Sequence, residues 1–199
     1  AVRLCEEVED LRGAGICYEK LGEFEKAADL LEKAGLWAHA AKNRIRLKDW
    51  KMAATDLVKA EHWARAAPCF EKCKLYPEAA EAWEKAKDWK KAGRIFAKVG
   101  DDLSAARNFE RADEWGRAGV HYGKAGAWTK AGAALEKAAD WKNAARCYEN
   151  AEMWENAAHA FEEAGAWKEA AEDHLKAKAS EKAGRSFFKA GKYERAVPL

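Results

Sequence analysis

Proline is nearly absent from this sequence, with only three residues among 199. Because proline interrupts the backbone hydrogen bonds of a helix, its scarcity removes the commonest obstacle to extensive helix formation. Hydrophobic residues make up 49% of the chain and charged residues 35%, a balance that argues against a disordered chain. We therefore expect a folded protein that is rich in helices.

The sequence also lacks a marked excess of charge and any long apolar segment. Lys and Arg number 36 and Asp and Glu 34, so the formal net charge of +2 indicates no general preference for nucleic acid. No apolar run approaches the roughly 20 residues that a membrane span requires. The first ten residues contain no apolar run typical of a signal peptide. We expect no membrane insertion.

Cysteine is scarce and odd in number, which argues against a disulfide framework. The five cysteines follow the helical pattern described below, and we interpret them as reduced thiols of an intracellular, cytoplasmic protein. They are Cys5, Cys17, Cys69, Cys73 and Cys147.

A repeat of 13 residues runs through the whole sequence. We number each unit from an anchor residue, position 0, which lies three residues before an alanine that is present in every unit. The anchors follow one another without insertion or deletion, and nine of the ten tryptophans occupy them, Trp83 being the exception. The anchors are Leu11, Phe24, Trp37, Trp50, Trp63, Tyr76, Trp89, Asp102, Trp115, Trp128, Trp141, Trp154, Trp167, Ser180 and Tyr193.

Small and large residues recur at fixed positions of the unit. Position +4 is Ala or Gly in all 14 complete units, position +10 is mostly Ala, and position +7 is usually large, as in Tyr18 and Leu31. Positions +3, +4, +7 and +10 share one face of an α-helix. The pattern therefore predicts a helix in each unit that buries this face.

The repeat cannot form one continuous helix. Thirteen residues at about 100° each make three turns plus about 220°, so the apolar face would change sides in every unit. The glycine found at +11 in several units, such as Gly22 and Gly126, is typical of a helix C-cap. We predict an all-α fold, an α-solenoid or superhelix of short antiparallel helices in which two units of 13 residues form a 26-residue hairpin.

The repeat also predicts the domain organisation, which is a single array over residues 1–199. Ala1, Val2, Cys5 and Val8 match the small and large positions of an earlier unit without its anchor, and the last unit stops at Leu199. We expect the chain to be a fragment of a longer array.

The spacing of these residues resembles the tetratricopeptide repeat. The series Gly22, Phe24, Ala27, Leu31 and Ala34 is similar to the turn and second helix of that family, and the departure is a shorter hairpin than the family's roughly 34 residues. Units such as residues 18–28 also resemble repeats of intraflagellar-transport and coat-type subunits and of large tetratricopeptide-and-ankyrin helicase-like proteins. The resemblance implies an array that holds protein partners and links modules.

The resemblance also implies a binding groove. In the tetratricopeptide family, positions +1 and +5 of the first helices line the concave surface. In the helices of alternate units that begin with Leu11, these positions are mainly basic, with Glu172 as the one acid. We predict a partner-binding groove formed by Arg12, Lys42, Lys90, Arg94, Lys142, Arg146 and Lys168.

Two other groups of residues leave alternatives open. Cys69, Cys73 and His62 could belong to a metal site, but no fourth ligand is evident, and a packed thiol is the simpler interpretation. Arg44 and His174 replace the large residue at +7, which indicates either a local rotation that turns the next residue inward or a polar notch for a ligand. We interpret the Glu at +8 and the Lys or Arg at +9 as the solvated edge of each helix.

No pattern of catalytic residues accompanies the five histidines, and the glycines recur as helix caps and form no phosphate-binding loop. Our first hypothesis is a non-catalytic protein-interaction scaffold or linker array within a larger protein, without cofactor or metal, that binds a protein or an acidic peptide. The alternative is an accessory solenoid of a nucleic-acid-processing enzyme whose basic groove contacts phosphates. An enzyme in its own right is a third hypothesis.

Overall fold

A computed structural model describes residues 10–196 of the chain, so the interpretations of Ala1, Val2, Cys5, Val8 and Leu199 lie outside the described residues. Within this range every regular element is an α-helix and no strand occurs, which confirms the predicted all-α class. The helices are α1 (Leu11–Leu21), α2 (Phe24–Lys33), α3 (Trp37–Arg46), α4 (Trp50–Lys59), α5 (Trp63–Lys72), α6 (Tyr76–Lys85), α7 (Trp89–Val99), α8 (Asp102–Arg111), α9 (Trp115–Lys124), α10 (Trp128–Lys137), α11 (Trp141–Asn150), α12 (Trp154–Glu163), α13 (Trp167–Lys176), α14 (Ser180–Lys189) and α15 (Tyr193–Ala196).

Each helix begins at an anchor residue. The residue before the anchor is the N-cap, and where it is Asp10, Asp49 or Asp101 its carboxylate accepts a hydrogen bond from a backbone N–H of the first turn. Such a bond satisfies one of the N–H groups that a helix leaves without a partner at its start. The capping aspartates therefore help to set where these helices begin.

The turns between helices share one backbone conformation. Position +11 has a positive φ whether it is a glycine, such as Gly35 at 72°, or another residue, such as Ala139 at 57°. After α2, the N–H groups of Gly35 and Leu36 donate to the carbonyls of Glu32 and Leu31, at 2.9 and 2.8 Å. This pair of bonds is the Schellman arrangement that ends a helix in a left-handed residue, and it confirms the predicted C-cap.

The helices belong to two compact units, Ala1–Val99 and Gly100–Leu199, and each is described by itself. In the first unit, α1 to α7 pack in chain order, each against the next, and in the second unit α8 to α15 do the same. This neighbour-to-neighbour packing is that of a helical solenoid.

Alanines at +3 and +4 bring neighbouring helices close together. From α1 to α14 the alanines at these positions are buried, and where +4 is glycine the approach is closer still. A Cβ placed on Gly132 would lie 2.7 Å from Cε1 of Tyr148, and one on Gly119 would lie 2.5 Å from Cγ of Leu135. Position +4 of one helix therefore receives the large +7 side chain of the next.

Position +6 also lies in the core, which the sequence analysis did not predict. Ala82, Ile95 and Cys69 are buried at this position, and so are five polar residues, Asn43, Asp56, Asn108, Asp173 and Ser186. Asn43 and Asn108 donate from their side-chain amides to the carbonyl four residues earlier. Because position +6 holds polar residues in some units and apolar residues in others, it adds nothing regular to the hydrophobic pattern of the sequence, and the pattern did not indicate its burial.

Candidate partner-binding surfaces

The seven residues of the predicted basic groove are all exposed. Arg12, Lys42, Lys90 and Arg94 lie on the first unit, and Lys142, Arg146 and Lys168 on the second. Lys42 forms an ion pair with Glu19 at 2.8 Å, and Lys168 lies 3.9 Å from Glu172. These two lysines are therefore partly neutralised by the protein itself.

Two pairs of basic residues remain prominent on the surface. Lys90 and Arg94 lie one helical turn apart on α7, and Lys142 and Arg146 have the same spacing on α11. Arg94, Lys142 and Arg146 form no ion pair within residues 10–196. We call these the α7 and α11 basic pairs. Their position on a concave groove stays a prediction.

The basic residue at +9 has a second role beside solvation. It is exposed, as predicted, but its charged group lies over the aromatic anchor of the preceding helix. Lys72 Nζ, for example, is 3.6 Å from the centre of the Trp50 ring, and Lys137 Nζ is 3.8 Å from that of Trp115. The same arrangement joins Arg46 to Phe24, Lys59 to Trp37, Lys85 to Trp63, Lys98 to Tyr76, Lys176 to Trp154 and Lys189 to Trp167.

These cation–π contacts confirm that consecutive helices within each compact unit run antiparallel. The last turn of one helix, which carries position +9, lies beside the first residue of the preceding helix. A cation over a Trp face contributes about 0.5–1 kcal/mol at an exposed site. The interpretation of +9 as only a solvated edge was therefore incomplete.

The glutamates at +8 are also more than a solvated edge, because they accept hydrogen bonds from the next helix. Glu71 binds the indole N–H of Trp83, and Glu110 binds the phenol of Tyr122. Burial and the Glu110 contact raise the pKa of Tyr122 to about 12. Burial and Glu136 likewise raise the pKa of Tyr148 to about 12. Position +8 thus supplies a partner for the polar end of a buried +7 side chain.

Arg44 follows this rule, which the two alternatives offered for it from the sequence did not include. Its side chain is buried, and the next residue, Ile45, is half-buried and packs against the core cluster that contains Leu57. Its guanidinium binds Glu32 on α2 and Asp56 on α4, and it also lies 3.5 Å from Asp29. A guanidinium with these partners ties three helices together.

The pKa values of the two carboxylates that bind Arg44 shift in opposite directions, although Arg44 acts to lower both. The hydrogen bond from Arg44, helped by one from Lys59, lowers the pKa of Glu32. Burial raises the pKa of Asp56, although Arg44 opposes that effect. For Arg44 itself, burial would lower the pKa, but its contacts with Glu32 and Asp56 outweigh burial and raise it.

His174 occupies the same position in the second unit and is also buried, while Leu175 is only partly buried. Its Nε2 lies 3.3 Å from Oε1 of Glu162, which also accepts a hydrogen bond from Ser186 at 2.7 Å. Burial would raise the pKa of Glu162, but the hydrogen bonds from Ser186 and His174 lower it. His174 thus joins two helices, a role that the two alternatives offered from the sequence did not include.

His121 and Asp102 form a contact between helices that the sequence analysis did not identify. Nδ1 of His121 lies 2.7 Å from Oδ1 of Asp102, and the imidazole ring stacks on Phe109 with centres 5.4 Å apart. Asp102 is the only acidic anchor in the sequence. A carboxylate at an anchor, where an aromatic ring usually stands, was the signal that could have indicated a polar partner.

The structure favours packed thiols at the cysteines considered for a metal site. Cys69 is buried and its Sγ lies 3.5 Å from the carbonyl oxygen of Arg65. Burial raises the pKa of the Cys69 thiol and that of Cys73. His62 is exposed at the start of α5. Within residues 10–196, no group of three or more potential metal ligands comes together.

No protein-family model matches this chain, and no curated protein is a significant match to it. Among solved structures, the chain is similar to the crystal structure of BtubC (BKLC) from P. vanneervenii. The two are 15% identical over 98% of this chain and 81% of that chain, with a TM-score of 0.21. We therefore assign the fold from the helices and their packing alone.

None of the described helices is long and apolar enough to cross a membrane.

Proposed function

We propose that this chain is a non-catalytic protein-interaction scaffold, or a linker array within a larger protein, related to the tetratricopeptide-type arrays that its sequence resembles. The observation that carries the proposal is the use of its buried ionisable groups. Arg44 and His174 bind acidic side chains on neighbouring helices, as does the half-buried His121. Groups committed to joining helices are poorly placed for catalysis, whereas the exposed faces of the repeat are accessible to a partner.

The partner that fits best is an extended protein segment with acidic side chains. The α7 and α11 basic pairs each display Lys and Arg one helical turn apart on an exposed surface. A carboxylate can accept two hydrogen bonds from an arginine, which gives such contacts geometric specificity. We place this binding in an intracellular, cytoplasmic protein, in keeping with the free thiols of the four described cysteines.

The experiment compares binding of an acidic peptide to the chain and to two double variants. Arg94→Glu with Arg146→Glu removes one member of each basic pair. Lys51→Glu with Lys182→Glu makes the same change of net charge at exposed first-turn positions of α4 and α14. We expect the first double variant to lose binding and the second to retain it. Equal losses in the two variants would show that only net charge matters and would contradict the proposal.

The alternative function is an accessory array that contacts nucleic acid. It is supported by the same two basic pairs and differs in its salt dependence, because each phosphate contact releases counterions. Titration of a single-stranded oligonucleotide at two salt concentrations separates the cases. A steep loss of affinity with salt, together with no binding of the acidic peptide, would favour the nucleic-acid alternative.

A further inference from the structure

Trp128 differs from the other tryptophans in its exposure. It is 36% exposed, whereas every other tryptophan within residues 10–196 is buried or half-buried. Seven aromatic anchors are followed by a helix with Lys at +9, and in all seven the lysine ammonium group lies over the ring, as in the pair of Lys137 and Trp115. An anchor ring of this fold therefore ordinarily has a cation over it. Two tryptophan anchors, Trp128 and Trp141, have a residue without positive charge at that position, Asn150 and Glu163, and of these two rings Trp128 is the exposed one.

The sequence around Trp128 explains why its ring is open. Position +9 of α11, the following helix, is Asn150, which carries no charge. On the preceding helix, Gly123 lies against the ring, and a Cβ placed there would be 3.7 Å from Cζ3 of Trp128. Most units have Glu at the position of Gly123 and a basic residue at that of Asn150. The ring thus has neither a glutamate nor a basic side chain at these two positions.

The electrostatic surroundings of this ring also favour a cation. Helix α11 has no basic residue in its last turn, whereas α10 has Lys137 there. The C-terminal end of a helix carries a partial negative charge of about half an electron, which a basic side chain normally offsets. No basic side chain of the last turn of α11 offsets that charge, the nearest basic residue of the helix being Arg146 one turn earlier, and the exposed Glu152 follows in the turn. The face of a tryptophan ring adds a further negative potential.

We propose that Trp128 and the C-terminal end of α11 form a site for the ammonium or guanidinium group of a basic side chain from a partner protein. The guest cation takes the place that Lys137 has over Trp115 within this chain. This site goes beyond the proposed function, because its guest carries the charge opposite to that of the acidic segment expected at the α7 and α11 basic pairs. A partner that carries both signs of charge could contact both surfaces.

The test uses the full chain labelled with nitrogen-15 and an unstructured peptide of alternating glycine and lysine. The indole N–H resonance of Trp128 is assigned from its loss in Trp128→Phe, and its shift is followed during the titration. We expect a saturable shift of this resonance that exceeds those of the covered tryptophans. Trp128→Leu should weaken peptide binding by about two- to fivefold, which corresponds to one exposed cation–π contact.

The decisive variant is Asn150→Lys, which supplies the missing cation from within the chain. It should abolish the shift of Trp128 in the titration while the protein stays folded, as checked by its circular dichroism. Asn150→Gln should bind as the unchanged protein does. Ala133→Lys adds the same charge at an exposed position of α10 other than +9, and should reduce binding only slightly.

Three results would overturn the proposal. One is equal weakening by Asn150→Lys and Ala133→Lys, which would show that only net charge opposes the peptide. Another is a Trp128 resonance that does not shift with the peptide. The third is a shift shared equally by all tryptophans. Because Asn150→Lys leaves Arg94 and Arg146 unchanged, binding of the acidic peptide should persist in this variant, and the two proposals can fail independently.

Discussion

The carboxylate oxygen Oε1 of Glu71 accepts a hydrogen bond from the indole Nε1 of Trp83 at a distance of 2.8 Å. Trp83 is buried, and it is the one tryptophan of the chain that stands at +7 and not at an anchor. The same relation, from +8 of one helix to +7 of the next, joins Glu32 to Arg44 and Glu110 to Tyr122. It allows the core of the repeat to contain large side chains with polar ends.

We predict that Glu71→Ala destabilises the protein by about 1–3 kcal/mol, because the indole N–H of Trp83 would stay buried without its partner. Glu71→Gln should restore most of the loss, since its amide oxygen can accept the same bond. The control is Glu149→Ala, where the next helix presents Phe161 and the carboxylate only pairs with Lys176 at 3.5 Å. The midpoints of urea unfolding of these three variants test the prediction. Equal decreases for Glu71→Ala and Glu149→Ala would contradict it.

The turn after α10 offers a way to stabilise the protein. Ala139 has a φ of 57°, which costs a residue with a Cβ about 1–2 kcal/mol. Ala139→Gly removes this strain, and after the entropy cost of glycine we expect a gain of about 0.5–1 kcal/mol. Ala138→Gly, one residue earlier at a φ of −83°, should instead destabilise. Thermal melting of both variants tests the assignment, which fails if Ala139→Gly lowers the melting temperature.

Gly132 and Gly116 should respond in opposite ways to alanine. A Cβ on Gly132 would lie 2.7 Å from the ring of Tyr148, so Gly132→Ala should overpack the core and cost about 1–3 kcal/mol. At Gly116 the nearest atom is Cβ of Ala138 at 3.8 Å, which is an ordinary contact. Gly116→Ala should therefore gain up to about 1 kcal/mol from helix propensity. Denaturant midpoints that moved in the same direction would show that position +4 is not a close contact.

The buried tyrosines predict a loss of stability at high pH. Burial and a neighbouring glutamate raise the pKa of both Tyr122 and Tyr148 to about 12, while an unfolded tyrosine has a pKa of about 10. Below pH about 10 the phenols are neutral in both states, and their stabilising hydrogen bonds are fully present. Between pH about 10 and 12 the unfolded chain ionises first, so the free energy of unfolding falls by up to about 2–3 kcal/mol for each tyrosine.

The double variant Tyr122→Phe with Tyr148→Phe isolates this contribution from the titration of lysines in the same range. Its free energy of unfolding should fall less steeply above pH about 10 than that of the unchanged chain. Parallel curves for the two proteins, measured by urea unfolding at a series of pH values, would show that the phenols do not titrate late.

Part of the polar network could have been predicted from the sequence. Each of the six +7 residues with a polar end has a glutamate twelve residues earlier: Tyr18, Arg44, Trp83, Tyr122, Tyr148 and His174. Three of the eight apolar residues at +7, Leu31, Phe96 and Phe161, also have one. Arg44 and His174 were therefore members of a rule, and their pairing with Glu32 and Glu162 was a missed inference.

The sequence by itself determined the class of fold, the start of each helix and the position of each turn. Anchors such as Trp37 and caps such as Gly35 act within a few residues of chain, and hydrophobic period and backbone preference are local properties. Only the tertiary structure decided that position +9 of one helix lies over the anchor of the preceding helix, as Lys137 lies over Trp115. Such a contact joins residues 22 positions apart on different helices. It depends on the distance between the two helices, which the small alanines between them set.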